Sequence, residues 1–269
     1  MGEEPSTTRV AERAELAAVA PRSQLEPFFG ETVKEVLLAL ARNPNLDEHD
    51  LLRLLERKDL PQEVLRELAG HSEAARGYRV KLALVLHPKT PRLVSLPLMK
   101  FLYLFDLVRV SQTPAVPTDV KMAAEETILK KVETLPRGEK ITLARRGSGR
   151  VAAALLATPD AELIRAALNN PYLSEGHVLK VLALNKLPAV LVELISEHER
   201  WSRAYQLRLA LVRHPLTPFA RVLAFLPHIS VKDLQEICLD PRMTDQVRKY
   251  IVAHCAQRLN KKNSDSLDH

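Results

Sequence analysis

Glycine, cysteine and aromatic residues are scarce in this 269-residue chain: 8 Gly, 2 Cys and 4% aromatics. Beside abundant Leu, Ala, Glu, Lys and Arg, that scarcity argues for helix throughout. Cys238 and Cys255 have neither metal-ligand spacing nor a disulfide framework around them. They predict structural thiols in a reducing compartment. No run approaches the roughly 20 apolar residues of a membrane span. The first residues carry Glu3 and Glu4 and lack the apolar stretch of a signal peptide, so the expected location is cytoplasmic. Also missing are a Gly-x-x-x-x-Gly-Lys phosphate loop, a Gly-x-Ser-x-Gly elbow, and His-x-x-x-His or Cys-x-x-Cys ligand pairs. No catalytic residue, metal or cofactor is expected.

What is present is repetition. Shifted by 127 positions without a gap, Asn43 to Pro114 falls on Asn170 to Pro241. Tyr78-x-x-Lys81-Leu82-Ala83-Leu84-Val85-x-His87-Pro88-x-Thr90-Pro91 meets Tyr205-x-x-Arg208-Leu209-Ala210-Leu211-Val212-x-His214-Pro215-x-Thr217-Pro218. Such self-similarity marks a stacked-repeat architecture. The long period subdivides. A cation in an apolar, alanine-containing frame recurs at Lys81, Lys121, Arg165, Arg208 and Arg248, with Leu38 in the same place in the first unit. The steps are 43, 40, 44, 43 and 40, and three of them make 127. The period of about 42 predicts six helical units from about Glu31 to Leu259.

Apolar residues at helical spacing (Val33, Val36, Leu37, Leu40; then Leu51, Leu52, Leu54, Leu55) give each helix one buried face. The residue before a proline is pushed out of the α region, so His87-Pro88 ends a helix. Thr90 and Thr217 are expected to cap the next helices, with Pro91 and Pro218 at the first helical position. Asp47 and Ser174 are expected caps as well. Residues 1–30 predict a partly disordered arm with one helix, in which Phe28 and Phe29 cover the end of the array. Residues 260–269 predict a disordered tail.

Asp245-Gln246-Val247-Arg248, Val80-Lys81-x-x-Leu84 and Ile164-Arg165-x-x-Leu168 resemble the second-helix signature of HEAT repeats. The Asn-Pro-x-Leu and His-Pro-x-Thr-Pro elements resemble leucine-rich-repeat-variant and other HEAT-like bacterial solenoids. The resemblance spans about Glu31 to Leu259 and implies an all-α fold, an α-α superhelix of the HEAT/armadillo type. It also implies binding to extended partners, usually proteins, and no common chemistry. Prolines at Pro114 and Pro159 depart from the standard pattern and suggest additional short helices.

Two cationic features are candidate sites. The ladder Lys81, Lys121, Arg165, Arg208 and Arg248 is either a stripe for an acidic partner or a set of cations each paired with a carboxylate or helix carbonyl of a neighbouring unit; pairing is preferred. The other is residues 130–150, where Lys130, Lys131, Arg137, Lys140, Arg145, Arg146 and Arg150 stand against Glu133 and Glu139, seven minus two, or +5. This stretch has no expected counterpart in the duplication, because its copy would fall past the end of the folded array. Within it, Lys140, Arg145, Arg146 and Arg150 flank a Gly147-Ser148-Gly149 turn. Ser148 is expected to cap a helix whose free N–H groups and neighbouring arginines suit an anion.

Among the nine histidines, His71 and His198, like His87 and His214, are copies of one another at the 127 offset, which favours a helix-end role over metal binding. Three functions remain open: a non-catalytic scaffold binding a protein with an acidic segment, a nucleic-acid binder using residues 130–150 as in HEAT-like DNA glycosylases, and a lyase or modification enzyme. The second is weakened by a net charge of only +6 and few rings for stacking bases; Trp201, between Arg200 and Arg203, is the lone candidate. The third has no nucleophile–base pair. The scaffold leads.

Overall fold

The computed structural model describes the backbone of residues 4–241 and 243–265, and side chains within 9–260 except 75 and 242. Among the described residues there are eighteen α-helices and no strand. The chain divides into two compact units, Met1–Lys131 and Val132–His269.

Each unit holds three repeats of about three helices. In the first unit these are α1 (Glu4–Val19), two 3-10 turns (Arg22–Gln24, Glu26–Phe28) and α2 (Lys34–Ala41). Next come α3 (Glu48–Glu56), α4 (Gln62–Gly70), the short α5 (Ser72–Arg76) and α6 (Tyr78–Leu86). The third repeat is α7 (Arg92–Met99), α8 (Leu104–Gln112) and α9 (Thr118–Val132). The second unit follows with α10 (Arg137–Arg146), α11 (Gly149–Leu156) and α12 (Ala161–Leu168). Then come α13 (Glu175–Leu182), α14 (Ala189–Glu197) and α15 (Tyr205–Arg213). Last are α16 (Phe219–Phe225), a 3-10 turn (Leu226–His228), α17 (Val231–Cys238) and α18 (Asp245–Asp265). Helices α2, α3, α4, α6, α7, α8 and α9 begin 127 residues before α12, α13, α14, α15, α16, α17 and α18. The compact units are therefore the two copies of the duplication, three repeats each.

Packing is between neighbours. The third helix of one repeat lies on the second of the next: α2 on α4, α6 on α8, α12 on α14, α15 on α17. The buried faces repeat too, with Leu37 and Leu40 matched by Ile164 and Ala167, and Val80, Leu84 and Val85 by Leu207, Leu211 and Val212. Each large side chain so buried contributes about 1.5–3 kcal/mol. The Val/Ile-Lys/Arg elements that resemble a HEAT second helix lie here on the third helix of each repeat.

Short helices leave many backbone groups without partners, since the last four carbonyls of a helix have none inside it. Buried polar side chains close these ends. Asn43, 0% exposed, donates from Nδ2 to Ala17 O and Ala20 O at 2.8 and 2.9 Å. Asn170, also 0% exposed, donates to Ala144 O and Gly147 O at the same distances, each acceptor again displaced by 127. His87 serves the second repeat. Its Nδ1 accepts from Lys89 N, so Nε2 carries the proton and donates to Arg57 O at 2.7 Å. Burial pushes the His87 pKa down, which keeps the ring neutral for this bond.

The duplication therefore reaches further back than the sequence alignment, to α1 and α10. Residues 137–150 do have a counterpart, at 10–23. Residues 4–29, expected as a loose arm, are the start of the first repeat, with Ala17, Ala20, Leu25 and Phe29 buried in its core. The apolar signal was misleading there, because α1 buries alanines while Leu16 and Val19 face solvent. At the other end α18 continues to Asp265, through part of the expected tail; residues 266–269 lie outside the described ones.

Asp47, Ser148 and Ser174 cap α3, α11 and α13 as expected, the first and last through reciprocal capping boxes. Thr90 and Thr217 do not cap. Pro91 and Pro218 occupy the N-cap positions themselves, without a side-chain cap bond. Thr217 instead turns back, and its Oγ1 donates to Leu211 O at 2.6 Å, closing α15; Thr90 Oγ1 is buried without a partner.

Two outcomes are expected in urea titrations. Asn43→Ala and Asn170→Ala should each cost about 1–3 kcal/mol by orphaning buried carbonyls. Thr217→Ala should cost about 1 kcal/mol, whereas Thr90→Val should cost nothing, because Thr90 gives up no bond. Equal losses at the two threonines would contradict the geometry.

Candidate functional site

The cations of residues 130–150 are partly consumed by the fold. Lys130 pairs with Glu126 at 2.8 Å, and Lys140 Nζ donates to Glu133 O at 3.2 Å. Arg137 binds Asp160 through Nε at 2.7 Å and Nη2 at 3.1 Å, and Glu162 through Nη2 at 2.7 Å. That guanidinium, with the N–H groups of Leu163 and Glu162 at the start of α12, brings the Asp160 pKa down to about 2. Arg145, Arg146 and Arg150 are exposed.

The turn between α10 and α11 is closed rather than open. Gly147, Ser148 and Gly149 are buried. Ser148 Oγ accepts from Val151 N, and Asn170 holds Gly147 O. A Cβ on Gly149 would collide with the carbonyl of Tyr172 and the ring of His177, so the next repeat sits directly on this turn. Of the backbone donors at the start of α11, Val151 N is taken by Ser148, and Gly149 lies buried beneath the next repeat. What the turn offers a partner is side-chain charge.

The cation ladder also serves backbone. Lys121 Nζ donates to Pro114 O at 3.2 Å, Arg208 Nε to Ser202 O at 2.7 Å, and Arg248 Nη2 to Asp240 O at 3.2 Å. In each case the acceptor lies in the loop entering the cation's own helix, whereas pairing with a neighbouring unit was expected. Lys81 lies over the Phe101 ring at 5.3 Å, and Arg165 is exposed.

Other sequence candidates fall to structural roles. Trp201 is 2% exposed; its indole N–H donates to Leu168 O at 2.9 Å and Arg200 covers its ring at 4.1 Å, so no base can stack there. His71, His87, His198 and His214 are the C-caps of α4, α6, α14 and α15. Burial raises the pKa of both thiols, Cys238 and Cys255. The carboxylates of Asp47 and Asp50 gather near His49, but they cap α3 reciprocally and Asp47 pairs with Arg22, which accounts for their proximity. No helix of the described residues is long and apolar enough to cross a membrane.

Two surfaces in the first compact unit were not anticipated. One is a groove along α3, α6 and α8, formed by adjoining cavities of about 750 and 470 Å³ that share Leu52, Glu56 and Arg79. At one end Asp47, Glu48, Glu56 and Glu73 outnumber Arg53 and Arg79, leaving it net acidic, and Lys58 and Arg109 make the other basic. Leu55, Leu82, Ala83 and Leu86 line the apolar part between them.

The other surface is the corner joining α7 to α8, where Phe101, Tyr103 and Phe105 are exposed. Its sequence signal was legible. Residues 74–105 contain six Lys or Arg and not one Asp or Glu, a purer basic run than 130–150. It went unnoticed because its cations are spread over three helices instead of clustered in one turn. No family model, curated protein or solved structure matches the chain.

Arg137 generates a measurable expectation. Replacing it with Met should move the Asp160 pKa from about 2 toward the ordinary value near 3.8. A carboxylate with a depressed folded pKa contributes stability above its unfolded pKa and loses it as pH falls through the folded one. The acid transition of Arg137→Met should therefore begin at higher pH than that of the parent. Carboxyl carbon shifts followed by NMR across pH 1–6 would read both, and an unmoved Asp160 would refute the pairing.

Proposed function

We propose that this chain is a non-catalytic adaptor of the HEAT/armadillo type that holds a protein partner on its helical repeats in a reducing, cytoplasmic setting. The groove along α3, α6 and α8 carries the reading. Its apolar stretch flanked by both signs of charge suits a protein segment, which offers apolar anchors and both charges. A phosphate backbone asks for continuous positive charge and would be repelled by Asp47, Glu48 and Glu73. The nucleic-acid alternative is further disfavoured by the internal use of Lys130, Arg137 and Lys140 and by the burial of Trp201. The exposed Arg145, Arg146 and Arg150 supply a second, salt-sensitive contact for acidic parts of the partner.

Leu82→Arg tests the groove, since it places a charge on the apolar stretch at a half-buried position. It should leave the helical circular dichroism unchanged and lower recovery of the protein captured by the parent by about tenfold, the scale of an interface hot spot. Capture abolished by nuclease treatment, or unaltered by Leu82→Arg, would overturn the reading.

A further inference from the structure

The corner between α7 and α8 carries the densest aromatic cluster of the chain, Phe101, Tyr103 and Phe105 within five residues, 51, 69 and 44% exposed. Rings left in water forgo the burial that normally makes aromatics worth keeping. The second compact unit shows what the fold itself requires here. At the 127 offset it has His228, Ser230 and Lys232. Yet it builds the same corner. Tyr205 OH donates to Asp233 and accepts from Ser230 N at 3.1 Å, as Tyr78 OH donates to Asp106 and accepts from Tyr103 N at 3.1 Å. Polar residues form this corner equally well, so the three rings answer to something outside the fold.

Their surroundings indicate what. Lys100 Nζ and Lys81 Nζ lie 4.9 and 5.3 Å from the Phe101 centroid. The only carboxylate adjoining the rings in sequence, Asp106, is occupied by Tyr78. Of the six cations in residues 74–105, Arg76 and Arg92 pair with Glu73 and Asp119 and Lys89 donates to Asp59 O, so the charge at the rings themselves comes from Lys100 and Lys81. Base stacking is poorly served, because Tyr103 already lies against Tyr78 at 4.5 Å and 33°, and Phe101 sits beneath two ammonium groups. Ring edges and aliphatic stems remain exposed, beside positive charge.

We infer that this corner docks an acidic segment of a protein partner, whose carboxylates meet Lys81 and Lys100 while an aliphatic or aromatic anchor packs against Phe101, Tyr103 and Phe105. The inference rests on the partner being a protein and names the chemistry of its segment. Desolvated aromatics flanked by charge are the usual composition of an interface hot spot.

The test uses the full chain and a short fluorescent peptide in which Glu alternates with Leu and Phe, followed by anisotropy. A Lys-for-Glu peptide and an oligothymidine serve as comparators. Grafting the second unit's residues, Phe101→His with Tyr103→Ser and Phe105→Lys, keeps side chains that this corner already accommodates. It also makes the corner more basic, so weaker binding of the acidic peptide can only report the lost rings. The parent should bind the acidic peptide in preference to both comparators. The graft, and separately Lys100→Glu, should weaken it by about tenfold or more. No saturable binding by the parent, equal binding by parent, graft and Lys100→Glu, or preference for oligothymidine lost in the graft would overturn the inference. Loss in Leu82→Arg alone would assign the segment to the groove and refute the corner. Loss in the graft alone, with Leu82→Arg capturing its protein normally, would refute the groove and keep the corner.

Discussion

Satisfying the carbonyls at helix ends is the constraint on which this structure depends. Helices α2, α11, α12 and α13 are each eight residues long. Half the carbonyls of such a helix lack an internal partner, and burial without one costs about 1–3 kcal/mol per group. A chain built from many short helices multiplies that problem, and its polar residues are largely distributed to answer it. Asn43, His87 and Asn170 close the first helix of a repeat from the end of the third. Trp201 closes α12, Thr217 closes α15, and Arg221 reaches Ser196 O near the end of α14. Lys121, Arg208 and Arg248 pin entry loops.

This explains why periodic cations made a poor guide to function. A residue that recurs once per repeat does so because every repeat has the same helix ends to close. The duplication turns this into a method of sorting. Features held in both copies, such as the buried asparagines and the Tyr–Asp bonds at the corners, belong to the fold. Features present in one copy only are free of that duty. Phe101, Tyr103 and Phe105 are of this kind. Trp201 is different: it replaces Ala74 of the first copy, yet it is buried and bonded, a change absorbed by the core.

Both unanticipated surfaces lie in the first compact unit, and they differ in physical character. The groove has an apolar stretch between ends of opposite charge, which would orient the proposed segment. The corner has rings beside ammonium groups, which would favour negative charge in the proposed partner. In the second unit Arg145, Arg146 and Arg150 are exposed beside a turn on which the next repeat packs, so any attraction they exert on an acidic group would be screened by salt.

The sequence by itself determined the helical class, the 127-residue duplication, its division into three, and the caps at Asp47, Ser148 and Ser174. These follow from local rules: apolar spacing, proline geometry and side chains that bond within their own turn. The tertiary structure decided the rest. Whether Thr217 caps forward or closes the helix behind it depends on where the Leu211 carbonyl, six positions back, arrives, and the chain between them sets that. The first repeat was hidden because α1 buries alanines, whose small apolar signal becomes core only when α2 lies against them. The sealing of Gly149 beneath Tyr172 and His177 is a contact between repeats that no local pattern encodes. The exposure of Phe101, Tyr103 and Phe105 likewise emerged only from packing, because the same apolar letters inside a helix would have been read as core.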